Sequence, residues 1–165
     1  MITQAELKEI LHYAPDTGEF TWLIKTGPRS VIGSIAGSLD AYGYRCIKLH
    51  GKNYKSHRLV WLYHTGEMPI SELDHRNQKK ADNRIENLRV ATRSENVQNT
   101  PTRVDNTSGH RGVVWNKHNK NWVAQANVSG VRKFLKASIY KEVAIAAYEA
   151  FAKAEFKDFY NPGTV

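Results

Sequence analysis

A run of loop-forming residues divides this sequence and limits what can fold on either side of it. Residues 101–109 are rich in Pro, Thr, Asp, Asn, Ser and Gly, which is the composition of a linker. The 165 residues are enough for one ordinary domain or two small ones. We therefore predict two: a first domain over residues 1–100 and a second over 110–165, joined by this linker.

The first domain begins with short helices and strands. Thr3 and Glu6 have the spacing of a capping box, so we predict a helix from Thr3 to Tyr13. Gly66 is placed to end a later helix. The other elements predicted in this part are strands over 19–24 and 44–49, a strand around Tyr54 and a helix over 58–64.

The end of the first domain has the order strand, loop, strand, helix. A short strand is predicted over 73–75, and a polar loop follows over 76–83. The apolar anchors of the returning strand are Ile85, Leu88 and Val90. Thr92 and Glu95 form a second capping box, so a helix should begin there and carry Asn96 in its first turn.

The second domain has a different pattern. Short strands are predicted over 112–115, 122–128 and 133–137, and a helix over 141–154. The apolar residues of this helix recur on one side, and they are Val143, Ala146, Ala147, Ala150, Phe151 and Ala154. The predicted fold class is therefore α+β, with a small three-stranded antiparallel sheet and one helix in the second domain.

Basic residues outnumber acidic ones, which bears on the partner. The chain has 24 Lys and Arg against 16 Asp and Glu, for a formal charge of +8. A basic surface attracts polyanions, of which nucleic acid is the commonest. The alternative is a basic surface that serves only solubility.

The composition also bears on the cellular compartment. The single Cys46 permits neither an intrachain disulfide nor a multi-cysteine zinc site. The N-terminus lacks the apolar core of a signal peptide, and no apolar run approaches the roughly 20 residues that span a bilayer. We expect an intracellular protein with no membrane association. No obligate protein partner is evident, and the chain is expected to be a monomer or a dimer.

Polar residues suited to hydrolysis are concentrated between residues 74 and 96. Cleaving a phosphodiester needs a metal ion to stabilise charge on the phosphate, and a base to take a proton from water. Carboxylate and amide oxygens suit Mg²⁺ or Mn²⁺, and an imidazole suits the base. The residues of these types are Asp74, His75, Asp82, Asn83, Asn87 and Asn96. Each alone is as easily a turn or surface residue, whereas the combination favours a nuclease.

The order and spacing of these residues resemble the HNH nuclease motif, and most closely that of the free-standing HNH homing endonucleases of bacteriophages. The runs that carry the resemblance are 73–75, 82–89 and 92–96. That motif is a ββα-metal finger, in which two strands and a helix hold one divalent ion. The resemblance implies that His75 is the general base and that Asp74 and Asn96 bind one Mg²⁺ or Mn²⁺ per active site. It also implies that Asn87 fixes the loop of the finger through side-chain to backbone hydrogen bonds.

Other positions fit the motif less specifically. Asn83 and Arg84 match positions that are usually polar there, and residues 54–61 match a segment that commonly precedes the finger. The third motif position, often His, is Asn96 here, which suits Mg²⁺ better than zinc. His57 either lies beside the metal site or packs at the start of a helix, and the sequence favours neither.

Residues 109–161 resemble the plant APETALA/ethylene-response-factor DNA-binding domain. The runs that carry this resemblance are 110–113, Trp115, 122–124, 134–135, 146–148 and Asn161. In that family the sheet enters the major groove, which implies DNA contacts here from Arg111, Trp115, Trp122, Gln125, Arg132 and Lys133. Val114 and Asn127 occupy positions at which the plant pattern tends to have arginine. This difference favours DNA binding dominated by contacts with phosphates. The alternative is that Trp115 and Trp122 pack in the core against the helix.

Together these features predict a metal-dependent endonuclease that acts on duplex DNA by nicking or by double-strand cutting, in the cytoplasm of a bacterial host cell. One alternative is a non-catalytic, sequence-specific DNA-binding regulator that uses the finger as a scaffold. Another is an RNA-binding protein. The presence of both Asp74 and His75 argues against the regulator, and both resemblances favour duplex DNA over RNA.

Overall fold

Two groups of elements form separate cores along the chain, one over residues 1–91 and the other over residues 92–165. The computed structural model describes residues 2–103 and 105–162. The linker is predicted at residues 101–109, whereas the observed boundary lies between Ala91 and Thr92. The helix that follows Thr92 therefore belongs to the second unit. The α+β class is confirmed, because both units combine helices with small antiparallel sheets.

The first unit begins with helix α1 (Gln4–Ile10), whose N-terminus has the predicted capping box between Thr3 and Glu6. The helix ends three residues before the predicted Tyr13, because Leu11–Ala14 forms strand β1 and pairs antiparallel with β2 (Glu19–Trp22). Burial alternates along β1, with Leu11 and Tyr13 inside and His12 outside. This two-residue period is the signature of a strand.

A three-stranded antiparallel sheet follows, formed by β3 (Ser38–Leu39), β4 (Arg45–Leu49) and β5 (Lys52–Lys55). The turn between β4 and β5 has positive φ at both His50 and Gly51, as a two-residue type I′ hairpin requires. Helix α2 (Ser56–Thr65) begins directly after β5 and ends at Gly66, where φ is 84°.

Two strands close the first unit. Strand β6 (Glu72–His75) pairs antiparallel with β7 (Leu88–Ala91), and a 3-10 turn over Ile85–Asn87 leads into β7. Apolar residues from α1, β1, β2, β4 and α2 form the core of this unit. Its fully buried members are Leu7, Leu11, Phe20, Ala36, Ile47, Leu59 and Val60.

The second unit begins with helix α3 (Arg93–Gln98), capped by Thr92 and Glu95 as predicted. Strands β8 (Val113–Asn116), β9 (Asn121–Val128) and β10 (Val131–Ser138) form an antiparallel sheet in the order β10-β9-β8. Helix α4 (Lys141–Phe156) packs on one face of this sheet. The three strands and the helix predicted after residue 110 are therefore confirmed.

The buried side of α4 matches the prediction only in part, because Ala147 and Phe151 pack against the core as predicted. The residues that face the core are Ala144, Tyr148, Ala152 and Phe156, spaced four apart, whereas Val143, Ala146, Ala150 and Ala154 are exposed. The prediction was wrong at these four exposed positions because alanines occur on both sides of the helix and bury little area. The rings of Tyr148 and Phe156 bury more apolar surface, and so determine the orientation of the helix.

No helix in the described part of the chain is long and apolar enough to cross a membrane.

Candidate active site

His75 is the last residue of β6 and is almost completely buried, with 5% of its surface exposed. Its ring meets the ring of His57 edge to face, with centroids 5.1 Å apart. The ring of Tyr44 lies 5.5 Å from that of His57 and 6.0 Å from that of His75. His57 therefore packs at the start of α2 and lies beside His75. Its position beside a metal ion stays a prediction.

Asn83 fixes the orientation of the His75 imidazole. Its side-chain Oδ1 lies 3.1 Å from Nε2 of His75, and its Nδ2 donates to the backbone oxygen of Ala81 at 3.1 Å. Because the amide nitrogen faces a carbonyl, the amide oxygen must face the imidazole and accept. His75 consequently carries its proton on Nε2, which makes Nδ1 the nitrogen able to take a proton from water.

Burial keeps both histidines neutral. Desolvation lowers the pKa of His75, while the hydrogen bond that His75 donates to Asn83 and the nearby charge of Asp74 oppose the shift. Desolvation lowers the pKa of His57 to about 3, helped by the neighbouring His75. A general base must begin the reaction unprotonated, so this environment suits His75 to that role at neutral pH.

Asp74 is held by Arg89, the residue directly opposite it on β7. Both side chains are buried, and Nε and one terminal nitrogen of Arg89 donate to Oδ2 of Asp74 at 2.8 and 2.7 Å. Successive strand residues point to opposite faces, so Asp74 and His75 leave β6 on different sides. Since β6 ends at His75, the two side chains could converge on one phosphate only around that strand end.

Asn87 braces the loop that connects β6 with the 3-10 turn. Its Oδ1 accepts from the backbone N–H of Asn77 at 3.0 Å. Its Nδ2 donates to the side chain of Asn77 at 3.0 Å and to the backbone oxygen of Asp82 at 2.8 Å. The two hydrogen bonds to the backbone are of the kind predicted for Asn87, and such bonds would hold the loop in one conformation.

Asp82 and Arg84 form a salt bridge with each other. Arg84 donates to Oδ1 and Oδ2 of Asp82 at 2.9 and 2.8 Å and also reaches Glu86 at 3.1 Å. The guanidinium of Arg84 holds the pKa of Asp82 well below its usual range. The charge of Arg84 is therefore largely neutralised within the loop.

The predicted metal ligands belong to different units, Asp74 to the first and Asn96 to the second. Asn96 is half-buried on α3. Both supply hard oxygen atoms, which fit Mg²⁺ or Mn²⁺ and suit zinc less well. Among residues 2–103 and 105–162, no group of three or more His, Cys, Asp or Glu is assembled for a metal. The Asp and Asn pair stays a prediction.

The N-terminal strands contribute to this site, which no motif in the sequence indicated. The buried hydroxyl of Tyr13 donates to the backbone oxygen of Asn83 at 3.1 Å and accepts from the N–H of Ile85 at 3.0 Å. Gly18 touches the same segment, where an added Cβ would lie 2.3 Å from the backbone nitrogen of Arg84. A tyrosine in a strand-like pattern normally indicates core packing, so only the structure reveals this contact.

The strand register of the second unit separates the predicted DNA-binding residues into two faces. Ala124 and Ala126 of β9 are buried on the side of α4, so Gln125 lies on the open face. Arg132 pairs with Asn127 and is exposed on that open face as well. Lys133 pairs with Ala126, and its Nζ lies 5.5 Å from the ring centroid of Phe151 on α4. Lys133 therefore lies on the helix side.

Trp115 and Trp122 also lie on the helix side of the sheet. They pair across β8 and β9, and their ring centroids are 5.1 Å apart. Trp122 packs against the core, and Lys141 lies over its ring at 5.2 Å. Trp115 remains 41% exposed. This geometry favours the packing interpretation for Trp122 and leaves Trp115 accessible at the edge of the sheet.

Arg111 makes hydrogen bonds within the second unit. Its guanidinium donates to the backbone oxygens of Val97 at 2.9 Å and Gln98 at 2.7 Å, and it also contacts the backbone oxygen of Thr100. Burial lowers the pKa of this guanidinium. Arg111 thus stabilises the C-terminal end of α3, where backbone carbonyls lack helical partners.

Comparisons with known proteins match the part of the chain that contains these residues. The model of the HNH endonuclease family matches residues 54–98, which include His57, His75, Asn83, Asn87 and Asn96. Protein 3.8 of Escherichia phage T7 is 28% identical over 95 residues, which cover 57% of this chain and 78% of that protein. No solved structure matches significantly. These similarities support an HNH-type endonuclease related to phage proteins.

Proposed function

We propose that this chain is a metal-dependent DNA endonuclease of the HNH type, comparable to the phage homing endonucleases that its sequence resembles. The observation that carries the proposal is the buried His75 imidazole, oriented through Nε2 by Asn83. A histidine held in one tautomer and kept neutral is prepared to take a proton from water at Nδ1. The match of the HNH endonuclease family to residues 54–98 supports the class of enzyme proposed.

The reaction proposed is hydrolysis of a phosphodiester bond in duplex DNA, by nicking or by cutting both strands. His75 receives a proton at Nδ1 from the attacking water, and Asn83 keeps the ring in place. Asn87 preserves the loop that presents Asn83. Asp74 and Asn96 would hold one Mg²⁺ or Mn²⁺, which supplies charge stabilisation for the phosphate and the leaving oxygen.

The second unit is proposed to hold the duplex, as its resemblance to the APETALA/ethylene-response-factor domain implies. The formal charge of +8 supports a polyanionic partner. Arg132 and Gln125 on the open face of the sheet are the residues best placed for that contact. The cytoplasm of a bacterial host cell is the proposed location, since the relative in Escherichia phage T7 is a phage protein.

Plasmid nicking tests the proposal. The wild-type protein should nick supercoiled DNA with Mg²⁺ and not with EDTA, and His75→Ala should abolish nicking while retaining DNA binding. His12→Ala, which removes an exposed histidine of the same unit, is the matched control and should nick normally. Normal nicking by His75→Ala would contradict the mechanism. Binding without metal-dependent nicking by the wild-type protein would favour the non-catalytic regulator.

A further inference from the structure

Lys80 lies in the loop between β6 and the 3-10 turn. Its Nζ donates to the backbone oxygen of Tyr42 at 3.2 Å and lies 5.1 Å from the ring centroid of Tyr44. The ring of Tyr44 is itself 6.0 Å from that of His75. Two defined contacts therefore hold the ammonium group on the Tyr44 ring, which neighbours the imidazole of His75, although the lysine side chain is otherwise exposed.

The charge of Lys80 has no counter-ion in the part of the chain that the structure describes, since none of the ion pairs there includes it. Its basic neighbours differ. Lys55 lies over the same Tyr44 ring at 5.0 Å but is paired with Asp40. Arg84 is paired with Asp82 and Glu86. Lys80 is thus a cation beside His75 whose charge remains available to an external anion.

We propose that Lys80, held against Tyr44, binds a backbone phosphate of DNA at the cleavage site. This inference rests on the proposed endonuclease function and assigns one part of its substrate contact. An ammonium group is a compact point charge that binds phosphate well. The ring of Tyr44 limits the positions of the long lysine side chain and so reduces the entropy lost when phosphate binds.

DNA binding in EDTA tests the inference without any need for cleavage. The affinity of the full chain for a short fluorescent duplex is measured against salt concentration for the wild-type protein, Lys80→Ala, Lys80→Arg and Lys79→Ala. Loss of one phosphate contact should reduce the salt slope by about 0.9 and the affinity roughly fivefold at physiological salt. We expect this change for Lys80→Ala and most of the wild-type slope for Lys80→Arg, which keeps the charge.

Lys79→Ala is the matched control, because it removes the same charge from the adjacent exposed position. It should bind like the wild-type protein. Equal losses for Lys79→Ala and Lys80→Ala, or no loss for Lys80→Ala, would overturn the inference. Ethylation of individual DNA phosphates locates the contact. A phosphate near the nick whose ethylation blocks binding of the wild-type protein should, when ethylated, no longer impair binding of Lys80→Ala.

The outcomes separate this inference from the proposed function. Nicking by the wild-type protein without a specific effect of Lys80→Ala on binding would refute the phosphate site alone. A specific effect of Lys80→Ala on binding, with no nicking under any metal condition, would support a phosphate contact by Lys80 and refute the endonuclease.

Discussion

The hydroxyl of Tyr13 contacts the backbone of Asn83, a residue 70 positions later in the chain, at 3.1 Å. The same oxygen accepts the N–H of Ile85, so it bridges both ends of a short segment. Asn83 is also the residue that binds Nε2 of His75. The first strand hairpin is therefore linked to the candidate base through one buried tyrosine.

Replacing Tyr13 with Phe should reduce both stability and cleavage. The ring would stay in the core, but the oxygen of Asn83 and the N–H of Ile85 would lose a buried partner, at a cost of about 1–3 kcal/mol. If Asn83 shifts, His75 loses its orientation, so kcat should fall more than KM changes. Urea unfolding and nicking kinetics measure the two effects.

Tyr63→Phe is the control for this substitution. Tyr63 packs against the ring of Tyr13 in the same core, with centroids 5.7 Å apart. Its loss of a hydroxyl should leave kcat close to the wild-type value. If the Tyr13→Phe protein has a normal kcat under conditions in which it is folded, Tyr13 stabilises the fold and does not position Asn83 or His75.

Asn83→Ala should change the pH dependence of cleavage as well as its rate. The hydrogen bond that His75 donates to Asn83 raises the pKa of His75 against the larger opposing effect of burial. Removal of this hydrogen bond should lower the pKa of His75 further. In a plot of kcat against pH, the rise on the acidic side should therefore move to lower pH. The plateau should fall because the imidazole is no longer oriented. A profile that keeps its shape would contradict the proposed contact between Asn83 and the base.

His57 should make the protein less stable in acid. The unfolded chain takes up this proton near pH 6.5, whereas burial delays uptake in the folded protein to about pH 3. Between these values the unfolded state binds more protons, so stability is lost as pH falls, by at most about 1.4 kcal/mol per unit. Below about pH 3 this contribution no longer changes.

His57→Gln should remove that contribution. Urea unfolding between pH 7 and pH 4 should give a shallower loss of stability for His57→Gln than for the wild-type protein. His12→Gln, at an exposed position, should retain the wild-type slope. Equal slopes for the wild-type protein and His57→Gln would mean that His57 is accessible to protons in the folded state.

Local signals in the sequence predicted much of the fold. Both capping boxes, at Thr3 and Thr92, depend on residues three positions apart and appear as expected. Strand β1 was missed because its apolar residues continue the pattern of α1, and only pairing with β2 makes the segment extended. Tertiary contacts outweigh local propensity at such junctions.

Long-range contacts explain what the sequence did not predict about the site. Asp74, His75 and Asn87 are recognisable because their motif is local. The contacts of Tyr13 with Asn83 and of Lys80 with Tyr44 join distant segments whose residue types carry no distinctive pattern. In the second unit, the strand register assigns Lys133 to the helix side, a distinction that the sequence did not provide.

Arg132 and Lys133 provide a matched pair for the DNA-binding surface. They are adjacent on β10 and carry the same charge, but Arg132 lies on the open face and Lys133 extends toward Phe151 of α4. If the open face holds the duplex, Arg132→Ala should weaken binding and lower the salt slope by about 0.9. Lys133→Ala should change both much less. Fluorescence anisotropy in EDTA measures the difference, and a larger loss for Lys133→Ala would place the DNA on the other side of the sheet.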